Sequence, residues 1–279
     1  MSRTDPEIRS LAGVDWAPLA AAFNAAFSDY VVPMTITADG LAAMQRRRGY
    51  AADVSFGAYD GERLVGFVLT CVDGDRAYNS GTGVVPAHRG GGLGRRLVDA
   101  VIASVRARSY ALEVIETNEP AAALYRSAGF VERRRLQVWT YAPPGGAPAP
   151  EVGELAAPDP GAIAADADHE LPWQNSLASL RRATEPYVAL GDARGAAIVF
   201  PGSADLPLLC VRRDARRGGL GTRLLAAAAA RAGRPIRTMV DDRDAGIAGF
   251  LEAAGATRLV RQLEMVRELG GVPRRRDPG

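Results

Sequence analysis

The chain contains no lysine: all 34 of its basic residues are arginine, set against 32 acidic ones. The formal charge of +2 is too small to hold a polyanion or an anionic lipid surface, so neither nucleic acid nor membrane is an expected partner. Long apolar runs are missing too. A run such as Leu224 to Ala230 falls far short of the roughly 20 residues that span a bilayer. Ser2 to Glu7 is polar and no cleavable apolar segment follows, so no signal peptide is expected. The only two cysteines, Cys71 and Cys210, stand in apolar, strand-like stretches of different halves. Buried, reduced thiols are therefore expected rather than a disulfide, and with them a cytoplasmic setting. Of the two histidines, His88 sits in a turn, and His169 sits in a loop with Asp166, Asp168 and Glu170. Neither has companion ligands at metal spacing, and no metal site is expected.

A length of 279 residues with 47% hydrophobic and 24% charged side chains suits two globular domains of ordinary size. Pro143-Pro144-Gly145-Gly146-Ala147-Pro148-Ala149-Pro150 cannot sustain helix or sheet. It divides the chain into a domain over 1–142, a linker over 143–152 and a domain over 153–279. In the first part, Ile8 to Leu11 reads as a strand and Trp16 to Phe27 as a helix with Trp16, Leu19, Ala20, Phe23 and Phe27 on one side. Leu41 to Arg48 reads as a second helix. Val54 to Tyr59 and Arg63 to Val72 flank Asp60-Gly61 as a hairpin. The arginine runs Arg46 to Arg48, Arg133 to Arg135 and Arg274 to Arg276 read as solvated faces or a tail.

The most informative stretch runs from Tyr78 to Arg108. A strand ending in Val84-Val85 turns at Pro86 and passes through Arg89-Gly90-Gly91-Gly92-Leu93-Gly94 into a helix. Leu93, Leu97, Val101 and Val105 recur every four residues and give that helix one apolar stripe. First-turn amides have no intrahelical acceptor, the helix dipole is positive there, and glycine lets backbone approach an anion closely. Downstream follow a strand from Ala111 to Ile115 carrying Leu112-Glu113-Val114, then Asn118, Ala121, Leu124-Tyr125 and Gly129-Phe130. A second helix from about Pro120 to Ala128 and a last strand from Phe130 to Tyr141 close the domain.

These two blocks, in this order and spacing, resemble the GCN5-related N-acetyltransferase superfamily, and the second block most resembles the branch that acetylates protein N-termini. The superfamily's coenzyme signature, an Arg or Gln followed by spaced glycines, falls on Arg89, Gly92 and Gly94. The resemblance implies an α/β (α+β) fold with a twisted mixed sheet flanked by helices, and acetyl-CoA as co-substrate with no metal. It implies direct transfer to an amine on a small molecule or a peptide N-terminus; no oligomeric state is read from it. By the same resemblance, the strands Tyr78 to Val85 and Ala111 to Ile115 splay to admit the pantetheine arm. Amides near Val84 and Val85 would bond that arm, and amides of Arg89, Gly90, Gly91, Gly92, Leu93, Gly94 and Arg95 would hold the pyrophosphate. Tyr125 would protonate the departing thiolate and Glu113 would accept the amine proton, with Glu116 a spare. An edge salt bridge would equally account for Glu113. Asn118 would bond the coenzyme or cap the next helix, and the Arg89 side chain could instead pair with a local carboxylate. Phe27, Tyr30 and Met34 would line the acceptor site or simply pack beneath a loop.

Beyond the linker the pattern recurs. Val211 to Leu225 aligns without a gap on Val84 to Val98, pairing Arg216 with Arg89, Gly219 with Gly92 and Gly221 with Gly94. The chain therefore reads as two tandem domains of one kind. Met239 stands opposite Glu113, Asp244 opposite Asn118 and Leu251 opposite Tyr125, so the second copy is expected to be a degenerate partner that binds a coenzyme or completes an interface. An acyl-CoA-binding sensor without turnover is the rival to an enzyme.

Overall fold

The computed structural model describes residues 5–29, 35–143 and 150–270. Contacts divide the chain into two compact units, Met1–Arg133 with Glu264–Gly279, and Arg134–Leu263.

The first unit begins with β1 (Glu7–Ser10), α1 (Trp16–Ala26) and α2 (Ala38–Arg48). Thr37 caps α2 by accepting from the Gly40 amide at 3.1 Å, and Gly49 ends it in the left-handed conformation. An antiparallel run follows: β2 (Phe56–Asp60), β3 (Arg63–Asp73) and β4 (Arg76–Val84). Alternation along β3 sends Phe67 and Leu69 into a cluster with Leu19 and Phe23 of α1. Gly66 leaves room on the opposite face, where a Cβ would lie 3.1 Å from Leu97 of α3 (Leu93–Ser104). Helix α3 buries Leu93, Leu97, Val98 and Val101. Val105, expected to extend the stripe, is the non-helical residue that ends it and is buried all the same. Strand β5 (Ser109–Ile115) then pairs parallel to β4, and α4 (Glu119–Ser127) follows.

The second unit repeats this plan. After α5 (Pro160–Ala164) and α6 (Leu177–Arg182), strands β7 (Val188–Asp192), β8 (Gly195–Phe200) and β9 (Asp205–Val211) form an antiparallel meander. Helix α7 (Leu220–Ala232), β10 (Ile236–Asp241) and α8 (Ala245–Ala253) follow. The core gathers Leu224, Leu225, Ala228, Ile236 and Leu251 around Trp139 and Tyr141.

Those two aromatics belong to β6 (Val131–Tyr141), which precedes the linker in the chain yet pairs antiparallel with β10, Tyr141 opposite Ile236 and Leu136 opposite Asp241. The reverse happens at the other end. The last residues of β11 (Thr257–Glu268) belong to the first unit. There β11 neighbours β5, the Leu269 amide bonds the Arg108 carbonyl at 2.8 Å, and Glu264 pairs with Arg133 at 3.0 Å. Each half thus contributes its final strand to the other unit, so contacts change hands at Arg134 and Glu264 rather than in the expected linker over 143–152. Residues 144–149 of that linker, like Arg274 to Arg276, lie outside the described residues.

On the β6 side the exchange carries a buried ion pair. Arg134 Nη1 donates to Asp241 Oδ2 at 2.9 Å and to the Glu170 carbonyl at 2.5 Å, with both charged side chains 2% exposed. Arg243 adds its own side chain and its amide to the same carboxylate. Burial pushes the Asp241 carboxyl up, but the donors of Arg243 and Arg134 outweigh it and hold the group well below the usual carboxylate range.

Candidate active site

The site of the first unit is built on the way β4 and β5 part. Their parallel ladder runs from Arg76 opposite Ser109 to Asn79 opposite Leu112 and goes no further. A bulge in β4 begins the divergence: Leu69 pairs with Gly81 but Thr70 with Asn79, so Ser80 is the extra residue. The Asn79 side chain holds the bend, accepting from the Gly81 amide at 3.0 Å and donating to Thr82 Oγ1 at 2.7 Å.

Beyond the bulge, ladder alternation decides which amides face the gap. Val84 stands opposite Gly66 and Thr82 opposite Val68, while the Val85 amide bonds the Val65 carbonyl at 2.9 Å. Val85 is therefore turned into the sheet, and the amides of Thr82 and Val84 point toward the parted β5. Of the two expected backbone donors, Val84 has its amide on the side of the gap and Val85 spends its amide on the Val65 carbonyl. Thr82, two residues earlier, has its amide on the same edge as Val84.

After a short turn at Pro86–His88 comes the glycine loop. Gly90 and Gly92 have φ of +81° and +76°, a region that L residues with a Cβ avoid. A Cβ at Gly90, Gly91 or Gly92 would meet nothing within 4 Å, so the first turn of α3 opens onto free space. Gly94 has another reason. Its missing Cβ makes room for Leu124 of α4, whose Cδ1 would lie 3.1 Å away. The Leu93 side chain is buried core.

The side chains around this loop turn inward. Arg89 donates to the Val84 carbonyl (2.9 Å), the Ala26 carbonyl (2.7 Å) and both oxygens of Asp29 (2.7 and 2.9 Å). It ties the loop to the end of α1 and lowers the pKa of Asp29. Arg95 binds Asp99 and the Ser127 carbonyl, linking α3 to α4. Asn118 accepts from the Ala121 amide at 3.3 Å, so of its two expected roles it performs the helix cap. His88 reaches Asp60 at 3.2 Å and is part of the scaffold.

Glu113 is the first residue of β5 past the last rung shared with β4. Tyr78, in register with Ala111, lies on the same face and donates its phenol to Glu113 Oε2 at 2.5 Å. Tyr110 and Leu112 point to the other face, where Tyr110 meets Phe130 at 5.6 Å and Phe130 meets Tyr125 at 5.8 Å. Glu113 therefore lies on one face of β5, and Tyr125 packs through Phe130 on the other. Near Tyr78, Ser80 is held by Gln45 Nε2 (2.9 Å) and Arg48 Nη1 (3.0 Å) of α2. Phe27 packs on Phe23 at 4.6 Å and on the apolar cluster of α1 and β3. Tyr30 and Met34 lie outside the described residues. Among the described residues no cluster of ligands could hold a metal.

The second unit keeps the geometry. Arg216 donates to the Val211 carbonyl at 3.0 Å as Arg89 does to Val84, and Gly219 repeats the left-handed turn of Gly92. Arg217, at the position of Gly90, is held at φ +67° despite its side chain. Strands β9 and β10 pair at Arg237 opposite Asp205 alone. A cavity of about 600 Å³ opens between them, lined by Leu208, Cys210, Met239 and Leu251 and by the Arg216–Gly221 loop.

Residues 20–130 match the model of the acetyltransferase (GNAT) family. A tandem GNAT protein from the clavulanic acid biosynthesis pathway shares the fold, with TM-score 0.70 and 17% identity over 96% of this chain and 100% of that one. The match covers under half of the chain, and over nearly the chain's whole length the fold is that of a tandem GNAT protein. A GCN5-related N-acetyltransferase from Sphaerobacter thermophilus has the same fold (TM-score 0.69, 18% identity, 96% and 97% covered). So does an acetyltransferase from Pyrococcus horikoshii (TM-score 0.68, 12% identity, 98% and 93% covered). No curated protein gives a significant sequence match. In the GNAT frame, Asp244 retains what Asn118 does: it caps α8 by accepting from the Ile247 amide at 3.0 Å. The second copy has thus lost the polar character of two expected positions, Met239 and Leu251, rather than three. Tyr78, Thr82 and the Ser80 bulge are features of the first candidate site that motif reading missed. The two-residue step from Thr82 to Val84 was available in the sequence, whereas the shared face of Tyr78 and Glu113 follows only from the register of β4 with β5.

Proposed function

We propose that the first unit is an acetyl-CoA-dependent N-acetyltransferase that passes the acetyl group directly to an amine, on a small molecule or a peptide N-terminus. The observation that carries the reading is the parting of β4 and β5 after Asn79 and Leu112, with Glu113 the first residue of β5 beyond the last shared rung. Acetyl-CoA supplies the acetyl group as a thioester. The Thr82 and Val84 amides would hold its arm, and the loop from Arg89 to Arg95 its diphosphate. Glu113 accepts a proton from the acceptor nitrogen on one face, and Tyr125 donates its phenol proton to the departing sulfur on the other. A phenol, ordinarily near 10, gives a proton to a thiolate, ordinarily near 8.5, only when the two are adjacent, which is what a fixed helix position provides.

The cavity in the second unit favours a companion reading for that half: it takes a coenzyme of the same class and performs no transfer, since Met239 and Leu251 offer no proton. Free-thiol release from acetyl-CoA across a panel of amines tests the first reading, and calorimetric stoichiometry tests the second. Turnover that falls at least about tenfold in Tyr125→Phe, roughly 1.4 kcal/mol of barrier, with coenzyme affinity kept, is expected. Tight binding with no thiol release on any amine would instead make the whole chain a binding protein.

A further inference from the structure

We infer that Tyr78 is the positioning residue of the site: its phenol fixes the Glu113 carboxylate at the point where the β4–β5 ladder ends. The inference rests on the proposed role of Glu113 and deepens it.

The need for such a device follows from the geometry. Residues of β5 up to Leu112 are held in register with β4 by the backbone, and the next residue is not. A carboxylate there, half-buried at the edge of a gap, would sample several rotamers. Tyr78 supplies a side-chain rung in place of the missing backbone one. It is 4% exposed, it lies two residues back on the same face, and it donates at 2.5 Å to Oε2, a charge-assisted bond at the short end of its range. The ring itself is locked in the sheet. Burial first, then the neighbouring Glu113 charge, raises the phenol well above its ordinary value, while Arg48 of α2 pulls the other way. Tyr78 therefore remains a donor at any working pH and is not itself a base.

Besides Glu113, the charged and titratable groups that act on Tyr78 include Arg48 of α2 and Cys71 of β3. On β11, the neighbour of β5, Glu264 is paired with Arg133 and Arg267 is turned to the Ala128 carbonyl. Tyr110, on the opposite face of β5, bonds Thr70 Oγ1 at 3.0 Å. It is a second buried phenol of the same sheet, outside the pair, and so a built-in control.

The test uses the full-length chain labelled with ¹³C-glutamate, the Glu113 carboxyl being assigned by its loss in Glu113→Gln. A donated hydrogen bond favours the charged carboxylate, so removing it raises the midpoint. Tyr78→Phe is expected to move the Glu113 titration upward by about one pH unit, and the acid limb of kcat/KM with it, while the KM for acetyl-CoA stays put. Site-specific 3-fluorotyrosine at Tyr78 keeps the fold and donates more strongly, so both midpoints should fall. Tyr110→Phe should lower the melting temperature and leave both midpoints unmoved. An unchanged Glu113 titration in Tyr78→Phe and in the fluorinated protein would overturn the inference. If instead Glu113→Gln were as active as wild type, the role given to Glu113 would fail, and the positioning role with it.

Discussion

The exchanged strand β6 can be weighed through Arg134. Its guanidinium is 2% exposed and faces a carboxylate, Asp241, that is equally buried. Breaking a buried pair by removing one partner costs about 3 to 5 kcal/mol, because the survivor keeps its desolvation cost without its compensation. The two truncations should not cost the same. In Arg134→Ala, Asp241 still accepts from the Arg243 side chain and amide, which places the loss near 3 kcal/mol. In Asp241→Asn, Arg134 and Arg243 both lose the charge of the one carboxylate they share, which places the loss near 5 kcal/mol. Urea unfolding at pH 7, followed by the fluorescence of Trp139 and Trp173 of this unit, measures both. The pH dependence adds a sign. Asp241 is held below its unfolded value, so its contribution is complete above the ordinary carboxylate range near 3.9 and drains away as pH falls toward its folded value. The gap between wild type and Asp241→Asn should be flat from about pH 5 to 8 and shrink below about pH 4. If both variants unfold within about 0.5 kcal/mol of wild type at pH 7, the pair contributes nothing to docking the strand and the reasoning is wrong.

Two glycines of the loop should separate stability from binding. Gly92→Ala forces a Cβ into the left-handed region and should cost about 1 to 2 kcal/mol in thermal unfolding, whereas Gly91, at an ordinary φ, should accept alanine with no loss. Gly91→Ala places its methyl in the open space before α3, so the KM for acetyl-CoA should rise at least about fivefold, near 1 kcal/mol, with the fold intact. Cys210, whose thiol burial pushes up to about 12, should resist a disulfide reagent at pH 8 in the native protein and react at once in denaturant.

Periodicity and turn chemistry made much of the first site legible. The four-residue stripe of α3, the turn at Pro86 and the repeat of Val84 to Val98 at Val211 to Leu225 are local patterns, and each recurs in the folded chain close to where the spacing put it. The reading stopped where long-range geometry decides. Which amide of Val84 and Val85 faces the gap depends on the register with β3. The inward turn of Arg89 depends on Asp29, sixty residues earlier in the chain. Asp244 differs from Asn118 in residue identity and still caps its helix, because the cap needs only an oxygen one bond from Cγ. The exchange of β6 and β11 leaves no local trace, since an edge strand carries the same alternation whichever neighbour it finds.

That exchange bears on how the protein can be made. A nascent chain emerging from the ribosome completes residues 1–133 early, but β5 has no outer neighbour until Glu264–Glu268 has been synthesised. Until then its unpaired edge is open to any other extended segment, and expressing the first half alone would leave it so permanently. A severed half would shed its own closing strand into a partner it no longer has, so co-expression of the two fragments, rather than either one singly, is the route to a working piece.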